Sequence, residues 1–272
     1  VSVDSIRISG ETDIKLFDLV ELNAQSVEVM KGIDIESKVN LDPLSNQDFY
    51  SGFFVVNSDG STKLSGGSLL GSLVVSAGDD ITVADMDMGY VEAKVGSDVF
   101  KLDAGGNIYL GQGELGVNGT VFSRMLNIEG RDVHIRGYGL MSQSGLGITG
   151  SNRIELEGPT GINTNVTGAQ KLEIKAPEVY IKEGVHIFAQ LAKHFDGNTG
   201  RVVLSGKKIL YVQDSRLEAA SPQLFNETPY FSLSGGQITL DNVSLSQYSH
   251  YDSPQMHGEI YAANPRRLSG NK

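Results

Sequence analysis

A short apolar–polar–apolar triplet, repeated along the chain, constrains the fold more than any other feature. Near the start, successive triplets begin 8, 6, 7, 6 and 6 residues apart. These triplets are Ile6-Arg7-Ile8, Ile14-Lys15-Leu16, Val20-Glu21-Leu22, Val27-Glu28-Val29, Ile33-Asp34-Ile35 and Val39-Asn40-Leu41. Each triplet predicts a short strand with two side chains directed inward and one outward.

The same spacing of 6 to 8 residues returns in the middle of the chain. The repeated units begin at Leu126, Val133, Leu140, Leu146 and Ile154. Between the triplets lie residues that favour sharp turns, such as Gly130-Arg131-Asp132 and Gly150-Ser151-Asn152, which we interpret as corners. The outward middle residues are mostly charged or polar, which indicates a solvated outer face.

This spacing is too short for a hairpin meander, which needs about 8 to 12 residues per strand and turn. It predicts an all-β fold: a β-helix or solenoid of short rungs, with 6 to 8 residues per strand and corner. Two windings satisfy the pattern. One chain can supply all three faces of each turn, or three chains can each supply one face. The spacing alone does not decide between these two windings.

Changes in spacing divide the chain into five predicted parts. They are an N-terminal solenoid block at 1–42, an insert or loop at 43–68, a central β-helix at 69–190, a C-terminal β block at 191–246 and a cap or tail at 247–272. The insert contains an aromatic cluster of Phe49, Tyr50, Phe53 and Phe54. A cap is expected because an open terminal rung exposes a strand edge.

Five motifs stand out in the region from about 95 to 215. They are Arg153-Ile154-Glu155-Leu156-Glu157-Gly158-Pro159-Thr160, Lys175-Ala176-Pro177, Gly184-Val185-His186-Ile187-Phe188-Ala189, Val99-Phe100-Lys101-Leu102-Asp103 and Ile108-Tyr109-Leu110-Gly111. With these motifs the region resembles the extracellular part of the sarcoglycans. The resemblance implies a non-catalytic subunit that intertwines with two others in a trimeric β-helix. Phage tail spikes and fibre shafts, and secreted bacterial adhesins, are the competing resemblance because they also use short rungs with Gly and Asn corners.

Charge and composition exclude several classes of site. The net charge of −11 argues against a nucleic-acid partner, which would require clustered Lys and Arg. The absence of cysteine excludes disulfides, cysteine-ligated zinc, iron–sulfur clusters and a cysteine nucleophile. We predict no cofactor. Because residue 1 is valine, we expect a processed or excised segment, with any targeting or membrane-anchoring segment outside it.

No set of residues predicts a catalytic or metal site. We expect simple surface positions for His134, His186, His194, His250 and His257. We expect a solvated corner for the acidic cluster of Asp79, Asp80, Asp85 and Asp87. The sequence does not mark out a catalytic pair among the outward acids Glu28, Asp34, Glu155 and Glu173. A terminal cap explains Tyr248, Tyr251 and Tyr261 as well as a sugar-stacking surface does. Four sequons predict possible N-glycosylation at Asn118, Asn165, Asn226 and Asn242.

These patterns together favour a non-catalytic extracellular structural or adhesion subunit in a sarcoglycan-like, membrane-associated complex. We expect a homo- or hetero-oligomer, with a trimer favoured, and other cell-surface or virion structural proteins as partners. Two alternatives remain open. One is a phage or bacterial surface spike for host attachment with polysaccharide-degrading activity, and the other is a calcium-stiffened adhesin.

Overall fold

The computed structural model describes residues 3–9, 12–29, 33–37, 39–42, 47–50, 52–84, 87–88, 96–111, 119–158, 164–168, 171–190, 201–221, 230–249, 260–263 and 268–269. Strands and their turns account for these residues, and none of the described residues is helical. The strands are β1 (Val3–Ile8), β2 (Thr12–Phe17), β3 (Leu19–Val29), β4 (Ile33–Ser37), β5 (Val39–Asp42), β6 (Gln47–Tyr50), β7 (Phe53–Ser58), β8 (Thr62–Ser65), β9 (Ser68–Leu70), β10 (Ser72–Ala77), β11 (Ile81–Ala84), β12 (Asp87–Met88), β13 (Gly96–Ala104), β14 (Ile108–Leu110), β15 (Thr120–Arg136), β16 (Gly139–Glu157), β17 (Thr164–Gly168), β18 (Lys171–Lys182), β19 (Val185–Gln190), β20 (Arg201–Gln213), β21 (Arg216–Ser221), β22 (Tyr230–Asp241), β23 (Ser244–Ser249), β24 (Ile260–Ala263) and β25 (Leu268–Ser269).

Strand pairing is parallel throughout the described residues, except between β5 and β6. Most strands pair with the strand that lies one full turn of the chain further along. Strands of successive turns therefore lie side by side and form three ladders, each a row of hydrogen-bonded parallel strands. The first ladder aligns Val20, Phe54, Leu73, Phe100, Leu126, Leu146, Leu172, Val202 and Phe231. The second aligns Val29, Leu64, Val83, Leu110, Ile135, Leu156, Ile181, Val212 and Leu240. The third aligns Ile35, Leu69, Met88, Val121, Leu140, Val166, Ile187, Leu217 and Leu245.

The three ladders enclose one hydrophobic core. A single buried cluster contains Leu126 and Leu146 from the first ladder, Ile135 from the second, and Leu140 and Ile187 from the third. Burial alternates with exposure along the strands, as in β18, where inward residues are buried and the intervening ones are not. We call this architecture the closed parallel β-tube, because its wall surrounds the core as the wall of a barrel does.

The predicted fold, a solenoid of short rungs wound as an intertwined trimeric β-helix, is therefore wrong. One chain supplies the strand neighbours in all three ladders and closes the wall by itself. The strands are also longer than predicted, since β15 has 17 residues and β16 has 19. Both run through the predicted corners at Gly130 and Gly150, because a local shift in register absorbs each bend without ending the strand.

Candidate functional site: an outward charged and aromatic ladder

Charged and aromatic side chains form a line on the outside of the second ladder. Strand register places Tyr109, His134, Glu155, Tyr180 and Tyr211 in successive positions. All five side chains are half-buried. We call this line the polar ladder. It follows from the fold, because residues that pair across parallel strands direct their side chains to the same face.

Lysine, arginine and histidine side chains surround Glu155 in the polar ladder. Lys182 Nζ donates to Glu155 Oε1 at 2.5 Å, while Arg153 Nη2 and His134 Nδ1 lie 3.3 and 3.5 Å from Oε2. Burial raises the pKa of the Glu155 carboxyl, but the hydrogen bond from Lys182 and these neighbouring charges outweigh it and lower the pKa. Glu155 is therefore held in its ionised form, unlike a general acid, which needs a raised pKa.

Neighbouring groups already cover ring faces in the polar ladder. Tyr109 and His134 stack with their ring centroids 5.2 Å apart and their planes at 9°. The Arg153 guanidinium lies 4.4 Å from the centroid of the Tyr180 ring, and Tyr211 is tilted against that ring at 6.2 Å. These contacts stabilise the outer face, and they occupy ring surface that a sugar would need for stacking.

The other outward acids named from the sequence lie apart from one another. Glu173 is paired with Lys171 and Lys175 on the outside of the first ladder; burial raises the pKa of its carboxyl, but the two lysines outweigh it and lower the pKa. Glu28 is 3.3 Å from Arg7 and 3.9 Å from Lys63. Asp34 occupies a register position beside Ser68 in the third ladder.

A histidine–carboxylate–arginine cluster lies on the third ladder. His186 Nε2 is 2.6 Å from Glu218 Oε2, and Arg216 donates through Nε to Glu218 Oε1 at 2.5 Å. The Glu218 side chain is only 5% exposed, and the His186 ring stacks on Phe188 with centroids 5.9 Å apart. His186 and Arg216 also line a surface concavity of about 470 Å³.

The sequence pattern predicts only a surface position for His186, and it does not distinguish Glu218 from other acids. The alternation of strand β21 would place Glu218 on the outer face, so the sequence pattern gave no sign of its burial. The one available signal was the spacing of Arg216 and Glu218, two residues apart and therefore on the same face of a strand.

Two of the four predicted glycosylation sites, Asn165 and Asn242, lie among the described residues. Asn242 is exposed at a corner with φ of 49°, and its Nδ2 donates to Asp214 Oδ1 at 2.6 Å. Asn165 lies in strand β17 and pairs in register with His186. Asn118 and Asn226 lie outside the described residues.

Three of the four residues in the predicted acidic cluster lie in the part of the chain that the structure describes. Asp79 is exposed, Asp80 is half-buried and accepts a hydrogen bond from the Asn107 backbone at 2.7 Å, and Asp87 begins strand β12. Asp85, His194, His250, His257 and Tyr251 lie outside the described residues, while Tyr248 and Tyr261 lie in β23 and β24. Among the residues that are described, no three His, Asp or Glu side chains come together in a way that could hold a metal ion.

Within the described ranges, no helix has the length and apolar character needed to cross a membrane. Comparison with known proteins found no matching family model, no matching curated protein and no matching solved structure.

Proposed function

We propose that this chain is a non-catalytic structural or adhesion subunit that works outside the cell, in a membrane-associated complex. The observation that carries the proposal is the continuity of the parallel ladders around one apolar core. From Val20 to Phe231 the first ladder has eight steps, which span about 38 Å at about 4.8 Å per step. Such a wall resists bending, because a bend must break backbone hydrogen bonds in the ladders.

The outward carboxylates support the non-catalytic part of the proposal. Glu155 and Glu173 are each held by lysines, and the pKa of each is lowered. Hydrolysis of a glycosidic bond needs one carboxyl with a raised pKa that donates a proton and a second carboxyl nearby. The polar ladder instead has ion pairs that fix the side chains in place.

The subunit proposal is tested by the state of association and by activity. Light scattering of the purified chain should give an oligomer, alone or with partner chains. A stable monomer at every accessible concentration and with every candidate partner would contradict the assembly role. Incubation with acidic and host-surface polysaccharides should release no reducing ends.

A second candidate function is a phage or bacterial surface spike that degrades a polysaccharide. The cluster of His186, Glu218 and Arg216 favours it, because the buried Glu218 carboxylate, hydrogen-bonded to His186, lies beside a concavity of about 470 Å³ that a second acid, Asp214, lines. If the wild-type chain releases reducing ends and Glu218→Gln removes that activity, this candidate replaces the non-catalytic one. Glu173→Gln is the matched control, because Glu173 lies on a different ladder and pairs only with lysines in the described contacts.

A further inference from the structure

We draw no further inference here: the strongest candidate, the apolar patch that Leu19, Phe53, Val55, Val74, Val99 and Met125 form on the outside of the first ladder, carries none because nothing in the part of the chain that the structure describes shows what covers it.

Discussion

Shortening Ile148 to alanine tests whether the inward residues carry the stability of the closed parallel β-tube. Ile148 is fully buried and pairs in register with Ile128 and Ile174 on the neighbouring strands. The next residue, Thr149, is exposed on the same strand. Ile148→Ala and Thr149→Ala therefore alter adjacent positions that differ mainly in the direction of the side chain.

The expected cost of Ile148→Ala follows from the carbons that it removes. Three buried carbons account for about 2.4 kcal/mol at about 0.8 kcal/mol each. A cavity adds to this cost when the surroundings cannot collapse, and measured Ile→Ala changes reach about 5 kcal/mol. Strands pair with β16 on both sides and hold its backbone, so we expect a loss of about 3–5 kcal/mol in the free energy of unfolding.

The measurement is unfolding in guanidinium chloride, followed by circular dichroism and by hydrogen exchange at the amides of β15, β16 and β18. Thr149→Ala should change the free energy of unfolding by no more than about 0.5 kcal/mol. If Ile148→Ala costs no more than Thr149→Ala, then residue 148 does not face a packed core, and the architecture described above is wrong.

Three further predictions follow from particular contacts. Gly111→Ala should destabilise the chain by more than about 1 kcal/mol because φ is 82°, whereas Gly145→Ala should be neutral or stabilising; equal Tm changes in the two variants would contradict this reasoning. The pKa values of the Glu155 and Glu173 carboxyls are lower in the folded chain than the ordinary value of 4.5. Their ionised forms therefore stabilise the folded chain above pH 4.5, and this stabilisation is lost as the pH falls through the folded pKa. A plot of Tm against pH should therefore be less steep in Glu155→Gln than in the wild type, and identical slopes would refute the role of Glu155. In a eukaryotic secretory host, Asn242 should carry a glycan because it is exposed at a corner, and Asn242→Gln should remove the corresponding mass; unmodified wild-type Asn242 in peptide mass spectra would show that it is not an acceptor.

Contacts between side chains on the outer face depend on more than the sequence pattern. His134 and Glu155 were predicted to face outward, and both are half-buried members of the polar ladder. Their mutual contact depends on the register between β15 and β16, which the spacing of triplets does not specify. The burial of Glu218 likewise depends on residues that are adjacent only in space.

The sequence by itself determined the short-range pattern of this protein. Alternating apolar and polar residues specify strands, because a strand directs successive side chains to opposite faces, and so the triplet Val27-Glu28-Val29 predicted that both valines lie inside. Only the tertiary structure decided which strands are neighbours and whether one chain or three would close the wall. Strand pairing joins backbone groups that every residue carries, so the choice of partner depends on register, bulges and packing around the whole circuit.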